Sequence, residues 1–260
     1  LYLSSSSATS DAFEPILGSA NVFNYRNKLE FSFSHRRWLT QEEVDSGQVF
    51  DDVPSLGFHV PGRWDKVLDV KECHLMAEPS NAIRNRVRDI ALANDFSYYN
   101  LNAQTGFLRN LIVRSTMTNE WMVILSVAED RPDDVKLILD TLVEEFPQLT
   151  SVLWVFNNKP NDTIADLDIR VHAGNDYIME EMEGLKFRVG PKSFYQTNGP
   201  QAYELYKITR EFAGLTGQEV VYDLYTGTGT IAQFVAKHAK KVVGIEYVEP
   251  AIVDARLNAE

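Results

Sequence analysis

Apolar and polar positions alternate along Tyr25–Trp38. Leu29, Phe31 and Phe33 fall on one side and Lys28, Glu30, Ser32 and Ser34 on the other, which predicts a half-buried strand. Thr40–Pro54 is acidic and has no period, and predicts a loop. Leu56–Val60 and Lys66–Val70 predict short strands joined by the turn Pro61-Gly62-Arg63-Trp64-Asp65. The period lengthens over Pro79–Asn94, where Ile83, Val87, Ile90 and Leu92 recur at helical spacing and Ser80 or Asn81 is the expected cap. Gly106–Arg114 and Trp121–Ala128 predict two strands around a turn at Thr116–Glu120; Pro132 opens a helix over Asp133–Phe146, and Ser151–Phe156 is a further strand. Leu56–Phe156 therefore runs β-α-β-β-α-β behind an extra hairpin, the order of a split-βαβ sheet with its helices on one face. Tyr177–Val189 reads as a hairpin turning at Glu183-Gly184, and Gly199–Ala213 as a helix amphipathic through Ala202, Leu205, Tyr206, Ile208 and Phe212. The serine-rich opening, Leu1–Ser10, predicts an irregular leader.

A different pattern occupies Glu219–Glu246. An apolar run (Val220, Val221, Leu224) carries Asp223 near its end; a turn with Gly227 and Gly229 follows, then a helical run from Ile231 to His238, then the apolar run Val242–Ile245 closed by Glu246. Strand, glycine turn, helix, strand and acid make the first half of a nucleotide-binding βαβ unit. Glycines let the backbone approach a ligand closely, the helix start offers free N–H groups, and an acid ending the second strand accepts ribose hydroxyls. Gly227–Ala232 also fits G-x-G-x-x-A, which keeps a nicotinamide dinucleotide in view. Asp223 argues against it. A carboxylate four residues before the first glycine repels a pyrophosphate, whereas it suits the cationic amino-acid end of S-adenosylmethionine. A glycine turn that holds no ligand is the bland alternative.

Composition bounds the rest. The chain has 260 residues and a net charge of −12, an awkward balance for a nucleic-acid binder, so any RNA contact must come from local patches. One candidate is Arg26, Lys28, His35, Arg36 and Arg37 around the first strand; Arg84, Arg86 and Arg88 on the first long helix are another. A solvated face is the competing reading of both. No run of about 18 apolar residues and no signal peptide opens or crosses the sequence, so no membrane is expected. The single cysteine, Cys73, excludes an internal disulfide and suits a reducing, cytoplasmic setting.

The stretch from Val221 to Glu260 resembles motif I and its sequel in the RNA (uracil-5-)-methyltransferases, which usually read D-L-(Y/F)-C-G-x-G; here Thr226 stands where the cysteine is usual. Lys192-Ser193-Phe194-Tyr195-Gln196-Thr197-Asn198 resembles their S-F-F-Q-V-N segment, and Leu56–Leu75 their central G-F-…-V-D-…-C-x-L stretch. The resemblance spans about Tyr25–Glu260. It implies an α/β and α+β chain: an RRM-like split-βαβ, RNA-facing domain over 1–185, then over 186–260 the start of a Rossmann-like S-adenosylmethionine-dependent methyltransferase domain. The aromatic consensus with which RNA-recognition modules stack bases is missing.

The resemblance further implies that Gln196, Asp223, Tyr225, Gly227, Gly229 and Glu246 contact S-adenosyl-L-methionine. Phe194, Gln196, Asn198, Arg26 and Lys28 would contact RNA, ribosomal first and transfer RNA second. Family members attack uracil C6 with a cysteine thiolate so that C5 takes the methyl group, and a base then removes the C5 proton. Both catalytic groups are expected beyond Glu260, so the chain reads as incomplete and inactive by itself. Cys73 matches a cysteine that is one of four ligands to a 4Fe–4S cluster in some members; the other three would precede residue 1, and a thiol without chemical role is the alternative. A monomer is expected. A nicotinamide-dependent oxidoreductase and a non-catalytic RNA-binding module are the other function classes.

Overall fold

The computed structural model describes residues 14–50 and 52–260, so the predicted leader Leu1–Ser10 lies outside the described residues. The first part comprises β1 (Lys28–Ser34), α1 (Gln41–Asp45), β2 (Ser55–Val60), β3 (Arg63–Asp69), α2 (Ser80–Ala93), β4 (Leu108–Ser115), β5 (Trp121–Val127), α3 (Pro132–Glu145), β6 (Leu149–Phe156) and β7 (Ile169–Gly174). Its strands form one seven-stranded sheet in the order β3-β2-β1-β4-β5-β6-β7. Neighbours are antiparallel except β5 and β6, which α3 joins in parallel.

The alternation along β1 decides its faces. Leu29, Phe31 and Phe33 point to α2 and α3 and pack there with Leu111, Val123, Leu125, Ile83, Val87, Ile138 and Leu142. β4 and β5 are covered on both sides, which is why their residues read as near-continuous apolar runs. On the far face Ile112, Met122, Ile124, Leu153 and Val155 meet Ile178, Val189 and Tyr195.

Strand order corrects the split-βαβ expectation. β5 and β6 lie side by side, with Val123 opposite Val152, so no strand is inserted between them. β1 and β2 separate β3 from β4, because β1 takes the place beside β4 with Phe31 opposite Leu111. The helices do share one face, as expected. Two elements were missed. Thr40 and Glu43 make a reciprocal capping box that starts α1 inside the expected loop. β7 is a half-exposed edge strand too weakly patterned to stand out. The expected Ser80 or Asn81 cap on α2 is also corrected: Pro79 sits at the cap, and the Asn81 side chain instead accepts from the Cys73 amide at 2.7 Å.

The second part holds β8 (Ile178–Met182), β9 (Leu185–Val189), α4 (Gly199–Ala213), β10 (Val220–Leu224), α5 (Thr230–Ala236), β11 (Lys241–Ile245) and α6 (Glu249–Ala259). β8 and β9 form a hairpin; β10 and β11 are parallel, pairing Asp223 with Gly244. Asn198 caps α4 by accepting from the Gln201 amide at 3.1 Å, Pro200 occupies the first turn, and Gly214 ends the helix at φ 55°. Met182, Phe187, Ala202, Tyr206, Phe234 and Val235 make a third cluster that ties hairpin, α4 and α5 together.

Candidate functional site

The C-terminal ends of β10 and β11 bring their two acids to the same turn. Asp223 Oδ2 accepts from Thr226 Oγ1 at 2.6 Å and from the Ala232 amide, in the first turn of α5, at 3.1 Å. A carboxylate at a helix start is favoured by the local dipole and by the unfilled N–H groups there. Glu246 accepts from the Gly227 amide at 3.0 Å through Oε2, and from the Tyr247 and Val248 amides at 2.8 and 2.9 Å through Oε1. Those amides, Val248 and Tyr247 before Gly227, hold its carboxyl below the usual range, so it is ionised at neutral pH.

Backbone conformation opens the turn. Tyr225, Gly227 and Gly229 have φ of 63°, 57° and 80°. A Cβ added at Gly227 would meet nothing within 4 Å, which leaves its backbone face to a ligand. Tyr225 is the only non-glycine among these and is 84% exposed, a strained position of the kind that gathers at functional sites. At Gly244 an added Cβ would lie 2.9 Å from Thr226 Cγ2, so the Thr226 side chain fills the space that residue lacks. A cavity of about 500 Å³ between α5 and α6 is lined by Thr226, Gly229, Gln233, Glu246 and Arg256. An acid held at a helix start, an open glycine and a second acid fit the ammonium, the close contact and the ribose of S-adenosylmethionine.

The segment 190–198 is fixed beside this turn from two directions. Arg114, 3% exposed on β4, donates Nη1 to the Gly190 carbonyl at 2.7 Å and Nη2 to the Ser193 carbonyl at 3.1 Å. Burial pushes this guanidinium down to about 10, still protonated at neutral pH. From the other side, Ser193 Oγ donates to Asp254 Oδ2 on α6, and Asn258, one turn on, accepts from the Arg188 amide at 2.7 Å while donating to the Thr228 carbonyl at 3.1 Å. α6 thus bonds to both the loop and the glycine turn.

Phe194 is 75% exposed, so it is not a core residue, and Gln196 beside it is also exposed. The Gln196 and Thr197 carbonyls accept from the Asn27 side chain and amide, both at 2.8 Å. This brings Arg26 and Lys28 next to the loop: both line a cavity of about 440 Å³ with Thr197 and Leu75. Asn198 serves α4 as its cap and donates Nδ2 to Ser19 Oγ at 3.2 Å.

The other arginines of the two basic patches are held by acids. Arg36 meets Asp52 at 2.8 Å, Arg37 pairs with Glu43, Arg84 is buried against Asp69 at 2.6 Å, and Arg86 meets Glu145 at 2.7 Å. Cys73 is buried in the helix-side core, and among the described residues no group of three His, Cys, Asp or Glu is placed to hold a metal ion. One thiol by itself cannot hold an iron–sulfur cluster, so the described residues supply at most one of its four ligands. Thr226, Arg114, Asp254 and Asn258 were missed as site residues; their roles lie in contacts far along the chain, and only the departure at Thr226 from the usual cysteine marked any of them.

No protein-family model matches the chain. It is 57% identical over 249 residues to a Bacteroides thetaiotaomicron protein named as an uncharacterized RNA methyltransferase, covering 95% of this chain and 55% of that one. A Porphyromonas gingivalis protein of the same name is 52% identical over 254 residues, covering 96% and 55%. The chain therefore spans about half the length of the curated relatives it matches. A solved Pyrococcus abyssi tRNA (uracil-54, C5)-methyltransferase, in complex with S-adenosyl-L-homocysteine, superposes with a TM-score of 0.71 at 26% identity, covering 93% of this chain and 54% of that one. The mixed α/β fold is methyltransferase-like, and no helix among the described residues is long and apolar enough to cross a membrane.

Proposed function

We propose that this chain, a homologue of proteins named RNA methyltransferases, provides the S-adenosyl-L-methionine turn and part of the RNA-facing surface of an enzyme that methylates uracil at C5. The observation that carries the reading is the pair Asp223 and Glu246, anchored on either side of the open Gly227 at the ends of two parallel strands. The donor supplies an electrophilic methyl group. Asp223 faces its ammonium, Glu246 accepts from its ribose hydroxyls, and Tyr225, Gly227 and Gly229 line its approach. Phe194 offers a face for the target base, Gln196 an amide for the base edge, and Arg26 and Lys28 cations for the neighbouring phosphates. We place the functional division at 1–185 and 186–260, a boundary that falls within β9 of the β8–β9 hairpin. Ribosomal RNA is the first choice of substrate and transfer RNA the second.

The test is donor binding. S-adenosyl-L-homocysteine raises the melting midpoint of the chain and NAD does not. Glu246→Ala loses a charge-assisted hydrogen bond of about 1.5–3 kcal/mol, which weakens donor affinity roughly ten- to hundredfold by calorimetry. Stabilisation by NAD alone would transfer the site to the dinucleotide class.

A further inference from the structure

We propose a second nucleotide-binding pocket, on the sheet face turned away from α2 and α3, that takes an unpaired nucleotide of the RNA other than the one modified; this rests on the RNA reading above. A cavity of about 590 Å³ lies there, lined among others by Ser32, His59, Arg63, Tyr99, Arg109 and Asn110. Ser32 and Asn110 are directly opposite each other on β1 and β4, and they alternate with Phe31 and Leu111, which face the helices.

Its floor is polar where a sheet interior is ordinarily apolar. Arg109 and Asn110 are each 3% exposed and Ser32 is 7% exposed. Asn110 Nδ2 donates to Ser32 Oγ at 3.3 Å, while its Oδ1 is buried without a partner. Arg109 Nη1 donates to the Asn157 and Lys159 carbonyls at 2.9 and 2.5 Å, and its guanidinium lies over the Tyr99 ring at 4.4 Å. Its Nη2 is also buried without a partner. Buried polar atoms left unpaired are costly and uncommon, and here the two residues that carry an unused donor and an unused acceptor both line one cavity.

That combination selects the ligand. One unused donor and one unused acceptor, carried on successive residues of β4, match the two functions that a nucleobase edge presents. The Arg109 guanidinium, held over the Tyr99 ring, makes the wall beside it cationic and rigid. Exposed Arg63 and His59 stand at the rim with Asp162, the one acid lining the cavity among the described residues. In a chain of net charge −12 this is a local excess of donors suited to a phosphate. The volume falls within the range of about 300–1,000 Å³ usual for small-ligand pockets. A simple anion would leave Asn110 Oδ1 unpaired, so the base is the specific part of the ligand.

The chain is titrated with a fluorescent single-stranded oligoribonucleotide, with inorganic pyrophosphate as competitor. Arg63→Ala at the exposed rim and Asn110→Leu at the floor are each expected to weaken binding about tenfold. Pyrophosphate is expected to compete poorly. Melting midpoints establish that the variants fold; should Asn110→Leu unfold, Arg63→Ala decides alone. Folded variants that bind as the parent does, or pyrophosphate that competes as well as the oligonucleotide, would overturn the pocket. The donor-induced melting shift is read on the same samples and reports the methyltransferase reading separately. Its absence alongside variant-sensitive oligonucleotide binding sinks that reading and leaves the pocket standing.

Discussion

Thr226 donates its hydroxyl to Asp223, Oγ1 to Oδ2 at 2.6 Å, and so fixes the carboxylate near the end of β10. A cysteine at this position would offer only a weak S–H donor. Thr226→Val keeps the shape against Gly244 and removes the hydrogen bond, leaving the Ala232 amide as a remaining anchor on Oδ2. A bond to a charged group contributes about 1.5–3 kcal/mol, so S-adenosyl-L-homocysteine affinity should fall roughly tenfold or more, while Thr226→Ser retains it. Calorimetric titration of both variants decides the point; equal affinities would mean that the hydroxyl does not set the carboxylate.

Phe194 exposes three-quarters of its surface on a segment that Arg114 and Asp254 hold in place. Phe194→Ala should therefore change folding stability by no more than about 0.5 kcal/mol. If the ring stacks on a base, single-stranded RNA affinity should drop by about 1–3 kcal/mol. Urea denaturation and an RNA-binding titration on the same variant separate the two. A large loss of stability with unchanged RNA affinity would make Phe194 a packing residue after all.

Glu180 is 1% exposed, and burial raises its carboxyl from the ordinary 4.5 to about 7, against the opposing pull of the Glu181 and Met117 amides. A raised folded-state value means that the folded chain holds a proton the unfolded chain has already released. The contribution is fully present below about pH 4.5 and lost as pH rises through about 7. The difference across that window is on the order of 3 kcal/mol. Glu180→Gln keeps an acceptor for the two amides and should flatten the dependence. Unfolding free energies at pH 5 and pH 8 for parent and variant test it; parallel declines would place the titrating group elsewhere.

Legibility in the sequence followed the range of the interactions. α4 was read at its bounds from the period of Ala202, Leu205, Tyr206, Ile208 and Phe212, and the Glu183-Gly184 turn was equally plain. The strand, glycine turn, helix and strand of the C-terminal unit were visible because Asp223, Gly227, Gly229 and Glu246 sit at fixed spacings within one unit. Strand order was not visible. Alternation along β1 shows which residues are buried but not that the strand pairs with β4 rather than standing apart as a hairpin arm. The supports of the loop were hidden for the same reason, since Arg114 acts on carbonyls more than seventy residues away, its bond to Gly190 spanning 76 positions.

The β8–β9 hairpin carries a mechanical consequence. Ile178 and Val189, at its open end, are embedded in the cluster under the large sheet, while Met182 and Phe187, toward its turn, are embedded in the cluster with α4 and α5. One two-stranded ribbon is thus clamped at either end in a different core. A tug on either core is borne by the cross-strand pairs between Ile178–Val189 and Met182–Leu185, so neither can loosen without fraying the ribbon the other depends on. The hairpin works as a rivet: the two halves of the chain are expected to melt as one cooperative unit, and the glycine turn inherits the rigidity of a sheet to which it does not belong.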